Sequence, residues 1–164
     1  MEIKRIERAY IVHDDDNVFG FFGPFKFLSN FEPCEIWFDG LKYTSTEAAY
    51  QAQKTTDITI HDEFTRMTPS ESKRKGRMLK IRPDWDAVKY DVMCAVVFDK
   101  FYRNHHLRQM LLSTGNKQLT EANHWSDVYY GVCDGKGENI LGKILMGVRD
   151  FWQIKNVGTV TKLF

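Results

Sequence analysis

Residues 34–54 read CEIWFDGLKYTSTEAAYQAQK, and this stretch contains the local signals that set the fold. The apolar runs on either side of Asp39-Gly40 predict a β-hairpin, because Asp-Gly is a preferred two-residue hairpin turn. Directly afterwards, Thr44 is followed three residues later by Glu47, which is the spacing of a capping box at a helix start. The alanines and straight-chain residues that follow favour helix. The stretch therefore predicts two short strands joined to a helix.

Three side chains capable of chemistry share one face of that predicted helix. Glu47, Gln51 and Lys54 stand at i, i+4 and i+7, which are positions on the same side of an α-helix. A carboxylate that exchanges protons beside an amine that attacks carbon is a minimal set for covalent catalysis. The alternative is structural, with Glu47 completing the capping box and Lys54 as a solvated charge near the helix end. The spacing alone leaves both interpretations open.

Length and composition predict one globular domain, residues 1–164. A chain of 164 residues with 43% hydrophobic and 27% charged residues is large enough to bury a sizeable core. Its net charge of +1 excludes a strongly basic nucleic-acid coat protein. Aromatic residues make up 14% of the chain, which suits both a core and a pocket that stacks on a base.

The cysteines, the histidines and the start of the chain indicate an intracellular protein without a metal. Three cysteines with no CxxC pair argue against a disulfide framework or a zinc site. The five histidines show no metal-binding spacing, so no metal site is predicted. Met1–Arg5 opens no apolar signal segment, and no run of residues approaches transmembrane length. We therefore expect a cytoplasmic protein with no membrane partner.

Periodicity and capping signals predict the remaining elements. Thr68-Pro69 with Glu71 predicts a capped helix start, and apolar residues from Tyr90 to Phe101 recur at helical spacing and predict a core-facing stripe. The other predicted elements are helices at Asp57–Met67 and around Leu107–Leu111, extended segments at Gln118–Glu121 and Val128–Val132, a final helix with Asn139 as N-cap, and a tail at 153–164 with a strand through Val157 and Val160. The predicted fold class is α+β, a single compact domain with several helices packed around a small, mainly antiparallel sheet.

A Gly-rich segment precedes the final predicted helix. Residues 137–144 nearly match a phosphate-binding P-loop, but Ile144 stands where Ser or Thr must bind magnesium, which excludes an NTPase. Gly135 and Gly137 still lie just before a helix N-terminus, where backbone N–H groups can bind an anion. A plain loop explains the same residues.

Carboxylates and cations elsewhere also allow two interpretations. Asp127 lies among Trp125, Tyr129 and Tyr130, a set that can hold a base or a sugar, although Asp127 equally fits a turn. Glu121 is a second carboxylate nearby in sequence, and with Glu47 these groups provide the acid and base of glycoside cleavage. The basic run Lys73, Arg74, Lys75, Arg77 and Lys80 is either a solvated helix face or a phosphate contact.

Several segments, in this order and spacing, resemble the NADAR/YbiA-like family over about residues 18–152. They are Ser29-Asn30-Phe31, Thr46–Lys54, Arg82-Pro83-Asp84-Trp85, Asp127–Gly131, and Gly135–Met146 with Arg149. Two positions depart from the family pattern, which usually has Gly at the place of Ser126 and Trp at the place of Tyr130. A tyrosine keeps a ring for stacking, so the resemblance still implies activity, with an altered substrate fit.

The resemblance implies an N-glycosidase that needs no cofactor. One branch of the family hydrolyses early riboflavin-pathway intermediates, and another removes ADP-ribose from guanine, in a nucleotide or in nucleic acid, through a lysine Schiff base. Carried onto this sequence, the chemistry assigns Glu47 as proton donor, Lys54 as nucleophile, and Asp127 to the ribose hydroxyls or the water. The expected substrate-binding residues are Asn30, Gln51, Arg77, Trp85, Glu121, Trp125, Tyr130, Gly131, Gly135, Gly137 and Asn139. The rival hypothesis is a non-catalytic module that binds ADP-ribose or a nucleotide.

Overall fold

The computed structural model describes the backbone of residues 13–160 and the side chains as far as residue 156. Its elements, in chain order, are β1 (Asn17–Phe19), a 3₁₀ helix (Gly23–Leu28), β2 (Pro33–Phe38), β3 (Leu41–Ser45), α1 (Thr46–Ala52), α2 (Ile58–Phe64), α3 (Pro69–Gly76), α4 (Trp85–Arg103), α5 (His105–Ser113), β4 (Gln118–Thr120), β5 (Ala122–Asn123), β6 (Val132–Cys133) and α6 (Ile140–Val160). The predicted α+β class is confirmed.

The chain forms two compact units. The central unit is Asn30–Gln109, and the terminal unit combines Met1–Ser29 with Met110–Phe164, of which residues 13–29 and 110–160 are described. The central unit contains the β2–β3 hairpin and helices α1 to α4. The terminal unit contains the other strands and helix α6.

The strand pairing differs from the prediction of one small, mainly antiparallel sheet. Within residues 13–160 the strands form three two-stranded sheets, of which β2–β3 is antiparallel and both β1–β4 and β5–β6 are parallel. In the β1–β4 pair, Val18 lies opposite Leu119. Parallel strands so far apart in sequence share no turn, so no local signal announces their pairing.

The predicted hairpin is confirmed as strands β2 and β3 of the central unit. Asp39 and Gly40 have φ angles of 49° and 75°, the left-handed conformations that a type I′ turn requires. Ile36 lies opposite Tyr43, and both are buried.

The extended segment predicted at Val128–Val132 is mostly not a strand. Only Val132 of that segment lies in a strand, β6.

Helix α1 begins one residue later than predicted and is shorter. Ser45 is its N-cap, with its Oγ accepting a hydrogen bond from the Ala48 N–H at 3.1 Å. Thr44 belongs instead to β3 and donates its hydroxyl to the Met67 carbonyl at 2.6 Å. Because the ladder still pairs Ser45 with Pro33, the strand continues through the position where the predicted cap would stand. Glu47 therefore does not complete a capping box.

The other helices of the central unit follow their sequence signals closely. The capping box of α3 is confirmed, since the Thr68 hydroxyl accepts from the Glu71 N–H and the Glu71 carboxylate accepts from the Thr68 N–H at 2.8 Å. Helix α2 is capped by Asp57 and ends at Phe64, before the predicted Met67. In α4, Phe101 is buried as predicted, but Tyr90 is exposed, because it lies at the edge of the apolar stripe.

Helix α6 corrects the prediction for the C-terminal tail. It continues from Ile140 to Val160, so the backbone at Val157 and Val160 is helical and not a strand. The predictions for Met1–Arg5 and for residues 161–164 lie outside the described residues. No helix in the described part of the chain is both long enough and apolar enough to cross a membrane.

Candidate active site

Glu47 lies in the first turn of α1, with 6% of its surface exposed. Its N–H donates to the Asn30 carbonyl at 3.0 Å, and its Oε1 accepts from Nε2 of Gln51 at 2.9 Å. The Ser45 cap fixes where the helix starts and so places Glu47 in its first turn, where the helix dipole favours an acidic side chain. The buried Glu47 is thus fixed by hydrogen bonds to both its backbone N–H and its carboxyl group.

Burial makes the neutral form of Glu47 more favourable. Desolvation raises the pKa of the Glu47 carboxyl, while the Gln51 hydrogen bond and the charges of Lys73, Lys54 and Arg77 oppose that rise. Loss of hydration is the larger effect, because a carboxylate without water loses most of its solvation. Glu47 can therefore hold a proton at a higher pH than an exposed glutamate does.

Lys54 lies two residues beyond the end of α1, so the helical i+7 argument that placed it beside Glu47 is wrong. The turn that follows α1 places Lys54 close enough to Glu47 for their charges to interact. The Lys54 N–H donates to the Gln51 carbonyl at 3.3 Å, and the Lys54 carbonyl accepts from the Arg82 N–H at 2.8 Å. The backbone of Lys54 is thereby tied both to α1 and to the segment that precedes α4.

The Lys54 amine is shifted toward its neutral form. Desolvation lowers the pKa of the ammonium, Glu47 raises it, and Arg77 and Lys73 lower it further. An amine attacks carbon only when it is unprotonated, so this shift favours a nucleophilic lysine. Acid and amine are thus both biased toward the forms that covalent catalysis uses.

The basic residues in and just after α3 interact with different groups. Lys75 forms an ion pair with Glu63, whereas Arg77 acts electrostatically on both Glu47 and Lys54. Lys73 acts on the same two groups, and its Nζ lies 5.4 Å from the centre of the Phe31 ring. From the sequence, Lys73 belongs to a basic run with two open interpretations and is not among the expected substrate-binding residues. The signal that was missed is the i, i+4 spacing of residues 73 and 77, which places both on one helix face.

Two other predicted contacts of the central unit are mostly buried. Trp85 has 8% of its surface exposed, and its ring lies 5.1 Å from that of Tyr50 on α1. Asn30 is also buried, and its Nδ2 donates to Sδ of Met93 at 3.4 Å. Both residues hold α1 in place. Their roles in binding a substrate stay predictions.

In the terminal unit, Asp127 organises a turn. Its Oδ1 accepts from the N–H groups of Tyr129 at 3.1 Å and Tyr130 at 2.9 Å. Its own N–H donates to Oδ1 of Asn123 at 3.2 Å. The preceding residue, Ser126, has a φ of 66°, a conformation that glycine adopts more easily. Asp127 thus has the structural role proposed as one of its two interpretations, and its catalytic role stays a prediction.

Asn139 stands at the predicted N-cap position of α6, where its carbonyl accepts from the Lys143 N–H at 3.0 Å, but its side chain does not cap the helix. Its φ is 54°, and its side chain binds backbone instead, accepting from the Glu121 N–H at 3.0 Å and donating to the Leu119 carbonyl at 2.9 Å. The Asn139 amide therefore connects the start of α6 to Leu119 in β4 and to Glu121, the residue after β4.

Three backbone N–H groups at the start of α6 have protein partners, and the binding of an anion by the loop of Gly135 and Gly137 stays a prediction. The N–H groups of Glu138, Ile140 and Leu141 donate to the carbonyls of residues 128, 129 and 130 at 2.8, 3.2 and 3.0 Å. Gly137 has a φ of 145°, and a Cβ there would lie 2.2 Å from the Gly131 carbonyl. The close approach of the Gly131 backbone explains why residue 137 is a glycine.

Trp125 is the most accessible of the predicted stacking residues, with 43% of its surface exposed. Tyr130 packs edge to face on Tyr129, with the ring centres 4.8 Å apart. In sum, Glu47 is grouped with Asn30, Gln51, Lys54 and Arg77 in the central unit. The other predicted residues belong to the terminal unit; they are Glu121, Trp125, Asp127, Tyr130, Gly131, Gly135, Gly137 and Asn139.

The model of the NADAR domain family matches residues 10–153. This chain belongs to the NADAR family. The match covers the segments in both units that carry the predicted site residues.

Known NADAR relatives align along most of this chain. An N-glycosidase of Nostoc punctiforme is 35% identical over 86% of this chain and 93% of its own length. The N-glycosidase YbiA of Escherichia coli K12 is 35% identical over 75% of this chain and 79% of its own length. The NMR structure of the E. coli protein YbiA is similar to this NADAR fold with a TM-score of 0.76 and 31% identity, covering 90% of this chain and 92% of that chain.

A riboflavin biosynthesis protein of Vibrio vulnificus is 38% identical over 76% of this chain, but the aligned region is only 35% of the Vibrio protein. This NADAR chain therefore corresponds to about a third of that relative.

Proposed function

We propose that this protein is an N-glycosidase that cleaves the bond between ribose and an exocyclic amine of a phosphorylated, nucleotide-like substrate. The observation that carries the proposal is the buried Glu47 carboxyl together with the half-buried Lys54 amine, in which desolvation favours the neutral acid and the neutral amine. A proton donor beside a nucleophilic amine suits an N-glycoside whose sugar ring can open.

The reaction proceeds in three steps. Glu47 protonates the ring oxygen, and the ribose opens to an imine between C1 and the exocyclic nitrogen, which loses its own proton. The neutral Lys54 amine then adds to C1 and displaces the base as a free amine, which leaves a Schiff base on Lys54. Water adds to this Schiff base, releases the sugar as its aldehyde and restores the lysine. The net change is the addition of one water across the N-glycosidic bond.

The proposed phosphate contacts are Lys73 in α3 and Arg77 directly after it. Arg77 and Lys73 both act electrostatically on Glu47 and Lys54, so an anion beside them would lie near the reacting carbon. A phosphate on the ribose is such an anion, and guanidinium and ammonium groups are its usual partners. The same charges also repel a proton from Lys54, which helps to keep the amine neutral.

Relatives support the reaction class and leave two substrate classes to compare. Aligned relatives are named N-glycosidases, and one is named a riboflavin biosynthesis protein. We propose either an early riboflavin-pathway nucleotide or ADP-ribosylated guanine, since each joins ribose to an exocyclic amine and bears phosphate. A binding module without catalysis is the alternative outcome.

The test offers both substrates to the wild type and to Glu47→Gln, with mass spectrometry of the released base. Loss of the acid should reduce turnover by ~10²–10⁴-fold, while the amide keeps the shape of the side chain. The matched control is Glu63→Gln, an exposed glutamate of the same unit, which should keep full turnover. If the wild type binds both compounds and releases neither base, and Glu47→Gln binds equally well, the protein is a binding module.

A further inference from the structure

Gly76 ends helix α3 directly against the side chain of Gln51. A Cβ placed on Gly76 would lie 1.9 Å from Oε1, 2.7 Å from Cδ and 3.2 Å from Cβ of Gln51. Atoms do not approach so closely, so every residue larger than glycine would displace this amide. Gly76 is buried and its φ is not in the left-handed region. The glycine is therefore required for space and not for an unusual backbone conformation.

The Gln51 amide is confined at both ends. Gln51 has 5% of its surface exposed, and its Nε2 donates to Oε1 of Glu47 at 2.9 Å. Its own Oε1 is buried and accepts no hydrogen bond from the described residues. An unpaired buried acceptor is unfavourable, so its presence in a native fold calls for a reason. Here the reason is that the other end of the amide is needed at Glu47.

We propose that Gln51, held in place by Gly76, is a positioning residue that directs the acidic proton of Glu47 to its Oε2 atom. A neutral carboxyl group accepts an N–H best at its carbonyl oxygen. Because Nε2 of Gln51 occupies Oε1, the O–H of the acid is on the opposite oxygen. This inference rests on the proposed function, in which Glu47 is the proton donor. Contact of the Gln51 amide with the substrate stays a separate prediction.

Gln51 also affects how readily Glu47 gives up its proton. The groups that act on Glu47 are the Gln51 amide on its own helix, Lys54 just after that helix, and Lys73 and Arg77 from α3. The Gln51 hydrogen bond lowers the pKa of the Glu47 carboxyl, which burial raises. Removal of the donor should therefore raise this pKa, whereas a residue that only fills space would leave it unchanged.

The first test needs no substrate. Gln51→Met keeps the volume of the side chain and removes the N–H donor. We expect the pKa of Glu47, followed by carbon NMR of labelled glutamate and assigned with Glu47→Gln, to be higher in Gln51→Met than in the wild type. An unchanged pKa in a folded Gln51→Met protein would overturn the proposal, even if the proposed reaction is correct. This titration tests the role of Gln51 even if neither substrate is turned over.

The second test asks whether Gly76 acts through Gln51. Gly76→Ala should lower kcat by on the order of 10²-fold, the usual effect of displacing a catalytic group by about 1 Å. Gly147→Ala is the matched control, because Gly147 is also helical and a Cβ there meets nothing within 4 Å. That control should keep kcat within about twofold, as a substitution that displaces nothing.

A double mutant completes this test. In Gln51→Ala/Gly76→Ala the obstructing amide is absent, so the pair should lose no more activity than Gln51→Ala alone. Additive losses in kcat would show that Gly76 acts independently of Gln51. That result would overturn the proposal that Gly76 holds Gln51 in place. If Gly76→Ala alone does not fold, restored folding in the double mutant supports the same contact, and failure of both to fold contradicts it.

Discussion

At the scale of single residues, burial decides which ionisable groups carry charge. Glu47 and Lys54 are ordinary residue types in the sequence, and only their surroundings shift the pKa of the acid upward and that of the amine downward. Spacing predicts that they are neighbours, but it does not predict desolvation. For that reason sequence analysis left the capping and catalytic interpretations open, and the burial of Glu47 now favours the second.

Lys100 shows the same effect without a proposed function. It has 1% of its surface exposed, and burial lowers the pKa of its ammonium to about 8. The unfolded chain keeps a lysine pKa of about 10.4. Between these values the unfolded state binds more protons, so stability should rise with pH. Below about pH 8 both states are protonated, and the destabilisation is fully present.

We expect this group to add on the order of 2–3 kcal/mol to the free energy of unfolding as pH rises through that window. Lys100→Met should remove this part of the rise, because methionine fills the space without titrating. Urea unfolding of both proteins between about pH 7 and pH 10 gives the comparison. Parallel profiles for the two proteins would show that the lysine does not titrate in this range.

Ser126 gives a second prediction at this scale. Its φ of 66° is strained for a residue with a Cβ. Ser126→Gly should relieve this strain and raise the free energy of unfolding by about 0.5–1 kcal/mol, after the entropy that glycine adds to the unfolded chain. Ser70→Gly, at an exposed helical position in α3, is the control and should destabilise. Equal destabilisation by both substitutions would contradict the strain argument.

At the scale of elements, turns and caps that depend on adjacent residues are predictable from the sequence. A boundary where a strand and a helix compete for the same residues is not. The Asp39-Gly40 turn and the Thr68 capping box each depend on a few adjacent residues, and both are confirmed. The start of α1 was misplaced by one residue because β3 continues through Ser45. Nothing in the sequence around Gly76 indicates its close approach to Gln51.

The Asp127 turn allows structure and catalysis to be separated. Its Oδ1 accepts two backbone N–H groups, and an asparagine can accept both through the same atom. Asp127→Asn should therefore change the free energy of unfolding by less than about 0.5 kcal/mol, whereas Asp127→Ala should cost about 1–2 kcal/mol. Thermal unfolding and turnover are measured on both.

If Asp127 is also catalytic, Asp127→Asn should fold normally and lose turnover by ~10²-fold or more. Full turnover in a stable Asp127→Asn protein would leave Asp127 as a turn residue alone. The matched substitution at the exposed Asp134, Asp134→Asn, should leave both stability and turnover unchanged.

At the scale of the whole molecule, the α+β class was predictable and the strand pairing was not. Composition and the number of helical stripes indicate the class, whereas β1 and β4 pair across most of the chain. The same limit applies to the site. A single helix start announced Glu47 and Gln51, but the contribution of Lys73 depends on how α3 packs against α1, which follows from side-chain fit and not from any motif.

The central claim is that Lys54 forms a Schiff base with C1 of the ribose. Borohydride added during turnover should trap that intermediate as a stable sugar adduct, seen in the intact mass and located by peptide mapping. We predict one adduct on Lys54 in the wild type and no adduct in Lys54→Ala. Lys100, the other lysine of the described residues whose pKa is lowered by burial, is the built-in control for an amine that is merely deprotonated. Turnover without any adduct, or an adduct on Lys100 in place of Lys54, would contradict the account.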